Sequence, residues 1–159
     1  MEMDDLCKLF SYRPETGEFT WIGSQMAHMN GRRAGSVQRN GYRKISTRGM
    51  CIYEHKLAFA MMGHPIPPMV DHINGNRADN SWSNLRAATP FQNRGNLRHW
   101  AASGVRGVYW EKHCKRWRAQ LGIGGGKVRK LGSFVNITDA KAAYDRAAKE
   151  HYGEYYTPR

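Results

Sequence analysis

Apolar positions along this chain recur at two different spacings, and the switches between them mark out a series of short elements. Leu6, Leu9 and Phe10 share one face at helical spacing, which predicts an opening helix over about 3–10. From Phe10 to Trp21 the aromatic flanks enclose Arg13-Pro-Glu-Thr-Gly17, whose turn chemistry predicts a hairpin. A second hairpin is expected from Gly41 to Tyr53, with Arg48-Gly49 at its turn. Glu54 to Met62 returns to the helical period through Leu57, Ala58, Met61 and Met62. Gly63 ends it, and Pro65, Pro67 and Pro68 forbid its continuation. Met69 to Ile73 is then a short strand, 74–80 a polar loop rich in turn residues, and Asn84 to Ala87 a second strand. Thr89-Pro90 suits a helix start, and that helix would hold Phe91, Asn93, Arg94 and Leu97.

The C-terminal part has its own pattern. Strands are expected over 106–111, 116–121 and 128–131, with turns at His113-Cys114-Lys115 and at Gly124-Gly125-Gly126. A helix follows from about Ile137 or Thr138 to Tyr152, with Thr138 as cap and Gly153 as stop. Its alanines and Tyr144 recur at helical spacing. Along the middle strand Trp117, Ala119 and Leu121 share the face that should pack on this helix. Arg116, Arg118 and Gln120 fall on the other.

Charge adds a partner to this outline. The 159 residues carry a formal net charge of +12, which favours nucleic acid because each neutralised phosphate releases a counterion. Residues 101–159 hold 12 basic residues against 5 acidic ones, a denser excess than the 13 against 8 of residues 1–100. Ala101 to Gly104 reads as a linker between two domains, 1–100 and 105–159. No apolar run approaches the ~20 residues of a spanning helix. The acidic start MEMDDLCKLF is unlike a targeting peptide, so an intracellular, cytoplasmic protein without a membrane partner is expected. Cys7, Cys51 and Cys114 are far apart and form no C-x-x-C pair, so no cysteine zinc site is expected.

Phosphodiester hydrolysis needs an activated water and stabilised charge on the phosphate, which one divalent ion and a histidine can supply. Magnesium favours oxygen ligands and takes few of them from protein, so an Asp and an Asn amide would suffice. Asp71-His72, with Asn84 and Asn93 arriving later, has those types. The run Glu54-His55-Lys56-Leu57-Ala58, then Val70-Asp71-His72-Ile73-Asn74-Gly75-Asn76, Asp79-Asn80, Asn84-Leu85-Arg86 and Gln92-Asn93, resembles phage-type HNH endonucleases of the ββα-metal fold. These include homing and nicking nucleases. The resemblance implies His72 as general base, Asp71 and Asn93 as ligands of Mg²⁺ or Mn²⁺, and Asn84 as the residue that braces the loop and orients the base. Asn96 is a rival to Asn93, Asn84 can equally be a simple turn-tying residue, and His55 reads as structural. Arg77, Arg86, Arg94 and Arg98 are either phosphate contacts or solvated charges. The cysteine ligands of some family members are missing, so hydrophobic packing and the N-terminal extension must hold the domain.

Ser103 to Trp110, Lys115 to Leu121, Lys130 to Phe134, Ala140 to Ala148 and His151 to Glu154 resemble the plant APETALA-type (ethylene-response-factor) DNA-binding domain. That resemblance implies DNA contacts at Arg106, Tyr109, Gln120 and Lys130, while Arg116 and Arg118 follow from alternation alone. Glu111 and Val128 depart from the family's basic pattern. The expected fold is thus α+β: a ββα-metal HNH core with an N-terminal β-hairpin extension, and a three-stranded antiparallel sheet on one helix. The expected function is metal-dependent cleavage of double-stranded DNA without an obligate protein partner. The alternatives are a non-catalytic DNA-binding regulator on a degenerate HNH fold, and an RNA-directed protein.

Overall fold

The computed structural model describes residues 3–47, 49–96 and 101–158. The chain divides into two compact units, Met1–Thr89 and Pro90–Arg159. This division falls ahead of the third helix, and the stretch 101–104 lies inside the second unit.

The first unit opens with helix α1, Met3–Cys7, and a hairpin of β1, Phe10–Arg13, with β2, Glu18–Trp21. The opening helix is shorter than expected from its spacing. Leu9 N–H donates to the Leu6 carbonyl in a closing turn, and Phe10 pairs with Trp21 across the hairpin, rings 4.5 Å apart. In the hairpin Phe10 is fully buried.

A three-stranded sheet follows: β3, Ser36–Val37, β4, Arg43–Thr47, and β5, Met50–Tyr53, with β4 in the middle. The β4–β5 hairpin is the one expected, with Gly49 at φ +76° in its turn; Arg48 lies outside the described residues. The two-residue β3 is too short to leave a period and was not anticipated. Helix α2, Glu54–Met61, leads through the prolines to β6, Met69–His72, which pairs antiparallel with β7, Leu85–Ala88. Asn84, expected within the second strand, instead ends a 3₁₀ turn, Trp82–Asn84. Its side chain is thereby directed at the loop rather than along the sheet.

One apolar core joins the extension to the rest. Leu6, Phe10 and Phe19 pack with Ile45, Leu57, Ala58, Val70 and Leu85, all buried. Burying each large side chain contributes about 1.5–3 kcal/mol, so the leader supplies a substantial share of this unit's packing.

The second unit begins with α3, Pro90–Asn96; Leu97 and Arg98 lie outside the described residues. Strands β8, Val108–Glu111, β9, Arg116–Gly124, and β10, Lys127–Phe134, form an antiparallel sheet with β9 central. Helix α4, Ile137–Tyr152, packs on it. Asn136, not Thr138, precedes the first helical residue, and no side chain caps that end. Val108, Ala119 and Leu121 meet Ala140, Tyr144, Ala147, Ala148 and Tyr152 in the core. Gly107, at φ +68°, is required by the packing, since a Cβ there would lie 2.2 Å from the Tyr144 ring. Among the described residues no helix is long and apolar enough to cross a membrane.

Candidate active site and nucleic-acid interface

Asp71 and His72 end β6 and are buried, at 3% and 4% exposure. The β6–β7 register sets Asp71 opposite Arg86. The Arg86 guanidinium donates to Asp71 Oδ2 from Nε at 2.8 Å, and its Nη2 forms an ion pair with the same oxygen at 2.6 Å. Arg86, read from sequence as a phosphate contact or a solvated charge, is therefore a partly buried partner of the acid.

His72 Nε2 lies 3.1 Å from Asn80 Oδ1. Burial pushes the imidazole pKa below its ordinary value, against the opposing pull of the Asn80 hydrogen bond and the Asp71 charge. His55 stands perpendicular to His72 at 5.3 Å between ring centres and stacks on Tyr53. Burial and the neighbouring His72 push the His55 pKa down to about 3, and its Nδ1 has no hydrogen-bond partner among the described residues. His55 thus belongs in the wall of the site as a neutral ring.

The loop after β6 is held by side-chain hydrogen bonds. Asn76 N–H donates to Asn74 Oδ1 and Ala78 N–H to Asn76 Oδ1, two consecutive Asx turns. Asn84 clamps both ends of this loop: its Oδ1 accepts from Asn74 N–H at 2.9 Å and its amide donates to the Asp79 carbonyl at 2.8 Å. Asn80 is a hydrogen-bond partner of His72, so the bracing of the loop and the contact to His72 fall to different asparagines. Arg77 donates to the Asn40 carbonyl and lies over the Tyr42 ring.

Two residues of this site, both in the runs that carry the HNH resemblance, received no role from the sequence. Asn80 lies in a run of turn residues with no period to single it out. Glu54 did leave a signal: a carboxylate placed three and four residues before Leu57 and Ala58, on the apolar stripe of α2.

Asn93 lies half-buried on α3 and Asn96 is buried on the same helix, both in the second unit. Among the described residues no group of three His, Cys, Asp or Glu could hold a metal ion. An ion held by one carboxylate, an amide oxygen and water needs no such group, and the hard oxygen donors of Asp71 and an asparagine fit magnesium or manganese.

Residues 53–94 match the HNH endonuclease family model. The chain is also 35% identical over 95 residues to Protein 3.8 of Escherichia phage T7, covering 57% of this chain and 77% of that protein. The chain belongs to this phage family. Its HNH endonuclease domain runs from the end of β5 through α2, β6 and β7 into α3, and so spans the division between the two units. No solved structure matches the chain.

In the second unit the register sets Tyr109 opposite Arg118, Glu111 opposite Arg116, and Lys130 opposite Gln120. Since Val108, Ala119 and Leu121 face α4, these alternate residues occupy the other face of the sheet. Tyr109, Arg116 and Lys130 are exposed; Arg118 is held by Glu111, whose carboxyl it keeps below its ordinary pKa. Arg106 is placed differently. Its guanidinium donates to the carbonyls of Arg94, at 2.8 Å, and Gly95, at 3.0 Å, capping the end of α3, and it lies against the Tyr144 and Tyr152 rings.

Proposed function

We propose that the chain is a metal-dependent DNA endonuclease of the nicking or homing kind, with His72 as general base. The observation that carries this reading is the buried Asp71-His72 pair at the end of β6, inside the HNH match, with a neutral imidazole beside an anchored carboxylate. A histidine held neutral is ready to accept a proton from water at neutral pH.

Asp71 and Asn93 would hold the divalent ion, Mg²⁺ or Mn²⁺. When bound, that ion supplies charge stabilisation at the phosphate and the leaving oxygen. The protein's own groups do the rest. His72 takes the proton from the attacking water, Asn84 keeps the loop after β6 in shape, and the Arg86 guanidinium balances Asp71.

The second part of the chain, 105–159, is the DNA-reading module of the APETALA type, joined by 101–104 to a nuclease part, 1–100. Double-stranded DNA lies along Tyr109, Arg116, Arg118, Gln120 and Lys130. The primary task of Arg106 is holding α3, which supports the module from behind its reading face. Tethering a weakly specific nuclease to a second DNA binder raises its effective concentration at the target.

The test is incubation of supercoiled plasmid with the full chain and Mg²⁺ or Mn²⁺. Open-circle product is expected from nicking and linear product from double-strand cutting, each abolished by EDTA. Duplex binding without any cutting in either metal would overturn the nuclease reading in favour of a non-catalytic regulator.

A further inference from the structure

The side chain that contacts the base is itself part of a longer chain of contacts. Asn80 is 1% exposed, and its amide is engaged at both ends: Oδ1 faces His72 Nε2 at 3.1 Å, and Nδ2 donates to Glu54 Oε2 at 3.0 Å. Glu54 is fully buried. Arg43 Nε donates to both of its oxygens at 3.0 Å, and Arg43 Nη2 donates to the Gly35 carbonyl at 3.1 Å. Gly35, at φ +74°, leaves room for this pair, because a Cβ there would meet Glu54 Oε1 at 2.2 Å.

A carboxylate receiving an Arg⁺ can only accept, so the NH₂ of Asn80 must point at Glu54 and its oxygen at His72. The imidazole nitrogen facing that oxygen must carry the hydrogen. The tautomer of His72 is therefore dictated from Arg43 through two intervening side chains, and the ring's lone pair resides on Nδ1.

The backbone of Asn80 is held from the other side by the N-terminal hairpin, outside the HNH match. Tyr12 Oη donates to the Asn80 carbonyl at 2.8 Å. Burial pushes the Tyr12 pKa up to about 12, so it remains a donor. Trp82 N–H donates to the Pro14 carbonyl at 2.8 Å, and Gly17, at φ +71°, approaches so closely that a Cβ would lie 2.2 Å from the Asn80 carbonyl carbon.

We propose that Asn80 is the positioning residue of the general base, fixing His72 as its Nε2–H tautomer, with Arg43–Glu54 orienting its amide and the leader hairpin fixing its backbone. The inference rests on the nuclease reading for the task of the base, and on this unit's geometry for everything else. It also gives the leader hairpin a role in the reaction rather than in folding alone.

The experiment uses the full chain, ¹⁵N-labelled and metal-free, and reads histidine tautomers from two-bond ¹H–¹⁵N ring correlations, with His72→Gln to assign the signal. Wild-type His72 is expected in the Nε2–H form. Two variants break the chain: Asn80→Leu, and the double variant Arg43→Met with Glu54→Met, which removes a buried ion pair as a unit and so avoids stranding one charge. Both should show a mixed tautomer and a kcat about ten- to a hundred-fold lower with KM for DNA little changed, within the ~10²–10⁴-fold that a positioned base contributes. Tyr12→Phe should lower kcat by only a few-fold.

Wild-type protein with His72 in the Nδ1–H form overturns the proposal even if every variant fails to fold. So does a folded double variant with unchanged tautomer and kcat. The two readings separate cleanly. Protein that cuts DNA with the other tautomer removes the positioning chain alone, whereas protein with the Nε2–H form that cuts nothing removes the nuclease reading and with it the task of the base.

Discussion

In the first unit Glu54, Asp71, His72 and Asn80 are all less than 5% exposed, whereas the second unit buries alanine, leucine and tyrosine and turns most of its charge outward. Both are small α+β assemblies, the first with the larger apolar core. They differ in where the polar groups sit. A buried polar group costs free energy unless it is hydrogen-bonded, and the first unit meets that cost with an interlocked set running from Gly35 to His72. Such a set cannot shift one member without disturbing the next, which suits chemistry that depends on one geometry. The exposed basic face of the second unit has the opposite property. Its side chains are individually replaceable and act through the sum of their charges, which suits binding to a phosphate backbone.

His72→Ala strikes the buried polar set most directly. Cleavage should fall by at least ~10²–10⁴-fold, the contribution of a general base, while duplex affinity in a gel-shift titration stays unchanged. Metal-dependent cutting that survives in purified variant protein would sink the assignment of His72. Next come two glycines that share a positive φ but not a neighbourhood. Gly17→Ala should cost well over ~2 kcal/mol, since strain adds to a backbone clash, and Gly125→Ala about 1 kcal/mol, since only open space surrounds it. Equal urea midpoints for the two variants would contradict the tight packing of the leader on Asn80.

Acid stability is the third measure. The folded pKa of His55, about 3, lies below its unfolded value of 6.5. Between these values the unfolded chain binds the extra proton, so stability is full above pH 6.5 and is lost as pH falls. The loss from this residue reaches about 2 kcal/mol by pH 5. Tm should therefore drop between pH 7 and 5, and His55→Phe should flatten that drop; an unchanged acid slope in the variant would remove His55 as its source. The smallest effects per residue belong to the second unit. Arg116→Ala combined with Lys130→Ala should weaken binding evenly across duplex sequences and reduce the slope of log K against log salt by about 2. A variant with the wild-type slope would move DNA off this face.

Much of the fold was legible because it rests on local rules. The β1–β2 and β4–β5 hairpins, helix α2, the β6–loop–β7 unit and the sheet carrying α4 all announce themselves through period and turn chemistry over a few residues. Where local rules compete, the sequence misleads by a turn: Phe10 fits a helical face, yet pairing with Trp21 claims it for a strand. Thr138 is a fair cap by type, but the residue before the helix is Asn136, two positions earlier. The residues of the candidate site divide the same way. Asp71, His72 and Asn84 are visible as residue types at a compatible spacing, whereas Asn80 looks like one more turn residue and Glu54 like a misplaced charge.

By itself, then, the sequence determined the order of elements, the Asp71-His72 pair and the alternation that puts Arg116, Arg118 and Gln120 on one face, because each is a property of neighbours along the chain. Only the tertiary structure decided that Asn80 rather than Asn84 contacts His72, that Arg43 neutralises a buried Glu54, that Arg106 caps α3, and that α3 associates with the second unit. The contact from Asn80 to Glu54 spans 26 residues and that from Tyr12 to Asn80 spans 68. Hydrogen bonds at such separations are chosen by which surfaces the apolar core brings together, and no periodicity along the chain encodes that choice.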